Sequence, residues 1–285
     1  MNARLKLGKI GYRNVLPIYH PLEQGLVPHE LEIVSGVPAE LNEMMRRGEL
    51  HLSANSSIEY ARRSERYLLV PDLAIGCHGP VQSVLLLSRR PVRELAGQSI
   101  LVSAQTHTSA ALLRLLLARR YKVEVRFESG DATSMLARGD KPEAILAIGD
   151  EALELRRHPD YPHLYDLGQE WLEWTGMPFI FGVWIILREA WDANRIALEN
   201  AVNQLLRAKQ WGQEHISELC GLASCGSSLD ALEMCSYFNG LSYDLGDKEK
   251  TGLERFFALL SESGIIESAP ELRFAELERS MLKAG

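Results

Sequence analysis

The chain has 285 residues, of which 46% are hydrophobic and 24% charged, and its formal net charge is −7. That length buries a sizeable core and allows about two domains, and a composition without low-complexity runs excludes a disordered or fibrous protein. The acidic balance, with no long basic run, removes the electrostatic basis for binding nucleic acid or an anionic membrane.

In chain order, the beginning "MNARLKLGKIGY" lacks the apolar core of a secretion signal. Strand-like runs then recur at 5–11, 31–36, 50–54, 67–72, 83–88, 99–103, 122–127 and 144–149. Between them, helix-period patterns are predicted at 38–47, 56–64, 108–120, 132–138, 150–158 and 168–175. Such alternation reads as α/β. The apolar stretch "MPFIFGVWIIL" (177–187) is about half the length that crosses a bilayer, so the expected location is the cytoplasm, without a membrane partner. From about residue 190 the chain becomes mostly helical, with Gly240 and Gly264 as stops. The cysteines at 77, 220, 225 and 235 fit neither a CxxC pair nor a zinc ribbon and are expected to be reduced and structural; His215 near Cys220 and Cys225 is the one hint of a metal cluster.

Two stretches share a chemistry. "LHLSANSSIEYARR" and "ILVSAQTHTSAALLRLL" each run from an apolar strand through Ser, Thr or Asn into a helix. At the carboxyl ends of strands in an open α/β sheet, the following helices point free N–H groups at a ligand. Hydroxyls beside a helix N-terminus add donors without charge, which suits a carboxylate. Asn55, Ser56 and Ser57 in one stretch and Thr106, Thr108 and Ser109 in the other are therefore candidate binding residues, although Thr106 or Thr108 also reads as a plain helix cap. His107 is either a base, since imidazole titrates near neutral pH, or an exposed helix-start residue.

In "GKIGYRNVLPIYH" (8–20), an apolar strand turns at Tyr12, Arg13 and Asn14. Asn14 either orients a hydroxyl or carboxylate or simply forms the turn; Arg13 is a site residue or a solvated charge. Gln82 and Ser83 open a strand placed to cross between lobes. With GxSxG absent, Ser83 is read as a hydrogen-bond donor rather than a hydrolase nucleophile. Asp150, at a strand end, is a ligand contact or a helix cap. Trp171, Trp174, Thr175, Gly176, Pro178 and Phe179 read as a return segment walling an apolar pocket, or as core. No phosphate loop, dinucleotide fingerprint or HExxH appears, so no cofactor and no metal is expected.

With these residues in view, the chain resembles the chorismate dehydratases of the futalosine route to menaquinone. The resemblance rests on "GKIGYRNVLPIY", "SSIEYA" (56–61), "VQSVLLLS" (81–88), "THTSAALLRLLL" (106–117), "AIGDEAL" (147–153) and "DLGQEWLEWTGMPFIFGVW" (166–184), in that order. It departs from the usual family pattern at Arg13, His51 and Asn55. The resemblance implies a two-lobed α/β fold like that of type II periplasmic binding proteins, with lobe one at 1–88 plus 183–285 and lobe two at 89–182. It also implies a hydro-lyase that removes water from chorismate, its small-molecule partner, to give 3-[(1-carboxyvinyl)oxy]benzoate. Asn14, Ser83 and His107 would then carry the chemistry, with Tyr12, Asn55, Ser56, Ser57, Thr106, Thr108, Ser109, Asp150 and Thr175 binding substrate. The base would be His107 or the substrate's own enolpyruvyl carboxylate. Two rival readings are a non-catalytic cytoplasmic receptor for a small dicarboxylate and a lyase or synthase acting on a later intermediate of the same pathway. A sister family of that second kind carries a proline- and cysteine-containing N-terminal motif that this chain lacks.

Overall fold

Two sheets organise the computed structural model, which describes residues 4–103 and 106–278. Gln105, part of the hydroxyl-rich stretch, lies outside the described residues. The first lobe is built from β1 (Lys6–Ile10), α1 (Leu16–Glu23), β2 (Glu32–Gly36), α2 (Pro38–Arg47), β3 (Leu52–Ser56), α3 (Ser57–Arg62) and β4 (Tyr67–Cys77). The second contains β5 (Val84–Ser88), β6 (Ser99–Val102), α4 (Thr108–Leu115), β7 (Arg126–Ser129), α5 (Ala132–Ala137), β8 (Ala144–Ile148), α6 (Gly149–Leu155), β9 (His163–Asp166) and α7 (Leu167–Thr175). The chain then returns through β10 (Phe179–Leu187) into α8 (Arg188–Ala193), α9 (Arg195–Glu214), α10 (Ile216–Ser224), α11 (Ala231–Gly240) and α12 (Asp247–Glu262).

The first sheet has the order β2-β1-β3-β10-β4, and the second β7-β6-β8-β5-β9. In the first, β1 runs parallel to β2 and β3, and β10 lies antiparallel between β3 and β4. In the second, β6 runs parallel to β7 and β8, and β5 lies antiparallel between β8 and β9. β5 thus belongs to the second sheet, whereas the sequence division assigned residues up to 88 to the first lobe. Its five-residue apolar run is buried on both faces by these two partners, and the crossing between lobes falls in 78–83. The short strand β9 was not foreseen.

A further difference is α1, expected only as a turn before Pro17. Pro17 sits in the first turn, where its missing N–H costs nothing, and Pro21 lies inside the helix. Gly212 of α9 packs on the Pro17 carbonyl so closely that a Cβ there would lie 2.0 Å from it. Cys220 and Cys235 form a disulfide between α10 and α11, whose packing brings their Cα atoms to 5.1 Å. This corrects the expectation of four reduced cysteines; Cys77 and Cys225 are free. His215, rather than approaching a thiol cluster, stacks on Trp211. A small core of Leu229, Met234, Tyr237 and Phe238 from the C-terminal helical region includes Leu153 of α6, so this region also packs on the second lobe. Among the described residues no helix is long and apolar enough to cross a membrane.

Candidate active site

Between the lobes lies a pocket with about 650 Å³ of empty space, within the usual range for a small-molecule site. Its apolar wall comes from Ile10, Ile75, Val81, Val84, Ile148 and Phe181, and its polar groups are Tyr12, Asn14, Asn55, Ser56, Ser83, His107, Thr108 and Ser109. None of the lining side chains is a carboxylate, lysine or arginine.

Helix starts supply the positive potential instead. Pro38, Thr108 and Gly149 are the first residues of α2, α4 and α6, and Ser56 is the N-cap of α3; all four line the pocket. The unpaired N–H groups and partial positive charge at these ends come from both lobes. Gly149 has φ +57°, and a Cβ there would lie 2.8 Å from the Tyr12 ring, so only glycine allows this strand-to-helix turn to pass the tyrosine. Burial, then the Asp150 and Glu151 carboxylates, push the Tyr12 phenol up to about 12.

Three lining atoms are buried without a hydrogen-bond partner: Asn14 Oδ1, Ser56 Oγ and His107 Nε2. Burying such a group unpaired costs about 1–3 kcal/mol, so their gathering in one cavity marks it as built for a polar ligand. Burial, then the charges of Arg62 and Arg46, hold the His107 imidazole below its ordinary 6.5, in the neutral form. Although His107 is the N-cap of α4, its side chain caps nothing.

Ser83 is held from behind. Its Oγ receives the Tyr237 hydroxyl at 3.2 Å and has a long contact of 3.5 Å to the Val81 carbonyl. The Asn14 carbonyl accepts the Tyr243 hydroxyl at 2.8 Å. Asp166 accepts the N–H groups of Val81 (3.0 Å) and Gln82 (2.6 Å) as well as those of Gly168 and Gln169 at the start of α7. One carboxylate thereby fixes both α7 and the crossing segment, where Gln82 adopts φ +61°. The Gln82 side chain turns away to the Ser236 carbonyl.

Other expected residues lie differently. Ser57 is fully buried and absent from the lining; its Oγ contacts Thr108 Oγ1 at 3.3 Å, and the same Thr108 oxygen accepts the Ile58 N–H at 3.2 Å. These two hydroxyls therefore meet each other across the cleft rather than standing apart. Thr106 bonds the Ser103 carbonyl within its own loop, and Ser103 lines a neighbouring cavity that shares Tyr12 with the first. Asp150 neither caps α6 nor lines the pocket: it pairs with the Arg13 guanidinium at 2.8 Å and accepts the Arg13 N–H. Arg13, far from being solvated, also reaches the Ala223 and Gly226 carbonyls. Thr175 is directed to the Trp171 carbonyl at the end of α7. Trp171 and Phe179 pack edge-on with Phe256 in the core, and Phe181 and Gly182 form the wall that the return segment provides. Asn55 is bonded to Asn42, and His51 accepts the Lys6 N–H.

Sequence reading missed the small wall residues Pro38, Gly149 and Gly182 and the tyrosines behind the pocket. Gly149 had a signal, a glycine between an apolar strand and a helix. The tyrosines had none, because their place depends on how the C-terminal helices dock.

Comparison with known proteins places these observations. Residues 5–262 match a family model described as menaquinone biosynthesis. The chain is 29% identical to chorismate dehydratase from Thermus thermophilus, over 88% of this chain and 93% of that one. It is 27% identical to 1,4-dihydroxy-6-naphtoate synthase from the same organism, over 95% and 98%. Among solved structures, the alkanesulfonate-binding protein SsuA from Xanthomonas axonopodis, bound to MOPS, superimposes with a TM-score of 0.68 at 14% identity, covering 96% of both chains. The fold is thus that of the periplasmic binding proteins.

Proposed function

The chain belongs to the menaquinone biosynthesis family, and on that premise we propose that it is a chorismate dehydratase, removing water from chorismate to give 3-[(1-carboxyvinyl)oxy]benzoate. The observation that carries this reading is the uncharged pocket ringed by helix starts from both lobes, holding three unpartnered polar atoms. A dicarboxylate with a flat ring meets N–H donors at its ends and an apolar wall along its face. The similarity to the Thermus chorismate dehydratase supports the same reaction.

Much of the driving force lies in the substrate, which becomes aromatic. The ring C3 proton is removed, and the resulting charge spreads through the diene into the ring carboxylate. The C4–oxygen bond then breaks, and the hydroxyl leaves as water. The protein's tasks are orientation and stabilisation of the developing negative charge by preorganised donors. We assign Ser83 and Asn14 to the reacting hydroxyl, Ser83 donating to the departing oxygen and Asn14 Oδ1 accepting a substrate hydroxyl. Ser109 and the α4 N–H groups take one carboxylate, and Ser56 with the α3 start takes the other. His107 Nε2, neutral and unpartnered, is the proton acceptor; the substrate's enolpyruvyl carboxylate is the alternative. Thr108 and Ser57 hold the lobes together rather than binding the ligand end to end. We place the reaction in the cytoplasm, where a charged biosynthetic intermediate is at hand.

The test is incubation of the purified protein with chorismate, following the aromatic product by ultraviolet absorbance and the loss of one water by mass. Binding without product supports a receptor instead, and neither binding nor product supports the synthase-like reading favoured by the second Thermus relative.

A further inference from the structure

We propose that Tyr237, from the C-terminal helix α11, is a positioning residue for the dehydration, aiming the Ser83 hydroxyl proton at the leaving hydroxyl of the substrate. This rests on the reading of the pocket as a chorismate dehydratase site.

The argument starts from how many bonds a serine hydroxyl makes. It has one proton to give and lone pairs to accept with. Ser83 Oγ is 2% exposed and borders the pocket. Among the described residues its contacts are the Tyr237 hydroxyl at 3.2 Å and the Val81 carbonyl at 3.5 Å. A phenol is a stronger donor than an alkanol, so Tyr237 gives its proton and Ser83 receives it. The Ser83 proton is left with a carbonyl at the outer limit of hydrogen bonding, or with whatever enters the pocket. A hydroxyl leaving the substrate ring is the better acceptor. Donation into Ser83 also polarises its own O–H, since linked hydrogen bonds strengthen one another.

Tyr237 is itself fully buried. Burial, opposed by the bond to Ser83, raises its phenol far above the ordinary value of 10, with Asp150 and Arg13 as the charged groups nearby. It therefore stays protonated and acts as a fixed donor, not as a proton source. Its backbone is anchored twice: by the disulfide from Cys235, two positions away on the same helix, to Cys220 of α10, and by packing with Leu153 of the second lobe. Ser83, at the lobe crossing, is thus oriented by a part of the chain that joins neither sheet.

The experiment is a double-mutant cycle of Tyr237→Phe and Ser83→Ala on the full-length protein with chorismate, with kcat normalised to the fraction of protein that binds the benzoate product, so that partial unfolding cancels. Tyr237→Phe in the natural chain is expected to lower kcat about tenfold, the scale of one lost hydrogen bond in the transition state, with KM within about twofold. In the Ser83→Ala background the same change is expected to lower kcat less than about twofold, because the hydroxyl it orients is gone. Equal losses in both backgrounds, a raised KM with unchanged kcat, or no loss at all overturns the assignment. A natural chain inert toward chorismate overturns the functional reading first and this inference with it, and is recognised from the unmutated control alone.

Discussion

Thr108 and Ile58 close the cleft from opposite lobes: the Thr108 Oγ1 of α4 accepts the Ile58 N–H of α3 at 3.2 Å. A side chain at the start of one helix thereby satisfies a free donor at the start of another, on the far side of the ligand space. Thr108→Val keeps the shape and removes the acceptor. It leaves a buried N–H unpaired in the closed form at about 1–2 kcal/mol, so KM for chorismate should rise about tenfold while kcat at saturation changes little. Steady-state kinetics decide this, and an unchanged KM shows that the contact does not govern closure.

Ser83→Ala and Asn14→Ala remove the two groups assigned to the reacting hydroxyl. By comparison with the loss of a single donor from a charge-stabilising site, each should lower kcat about a hundredfold without abolishing binding of the benzoate product. If both variants retain full turnover, the roles are misassigned.

The pH dependence follows from His107. Its imidazole is held below 6.5, chiefly by burial, and a base must be unprotonated to act. Protonation sets in only as pH falls below this depressed value, so kcat/KM should be flat through neutral pH and fall on the acid side, with its midpoint below 6.5. His107→Gln should remove that limb and cost about a hundredfold in rate. An unaltered rate and profile in the variant would transfer the role to the substrate's carboxylate.

Asp166→Ala strips four backbone N–H groups of their acceptor, at the crossing segment and at the start of α7. A loss of about 3 kcal/mol, read as a fall of about 8 °C in thermal midpoint, is expected together with reduced kcat, because Ser83 lies next to the released backbone. A thermal scan beside the chorismate assay tests both.

How far the sequence carried this reading depended on whether a feature was local. The hydroxyl-rich helix starts and the α/β alternation are patterns within a few residues, and they located Ser56, Thr108, Ser109 and His107 at the pocket. Asn14 and Ser83 were found at strand-edge turns by the same logic. Pairings between distant segments were not legible: Asp150 and Arg13 satisfy each other across the lobes, and Ser57 meets Thr108. Thr175 was misread because a hydroxyl at a helix end bonds its own carbonyls as readily as a ligand. The placement of β5 was missed because a short, wholly apolar strand carries no mark of which sheet it joins.

The insertion of β10 between β3 and β4 also sets an order of assembly during synthesis. All strands of the second sheet lie within residues 84–166, so that lobe has its complete set of strands as soon as this stretch leaves the ribosome. The first sheet, although its strands begin at residue 6, lacks its fourth member until residues 179–187 emerge. The half of the protein made first is therefore the half completed last, and β4 waits for its partner while the other lobe takes shape.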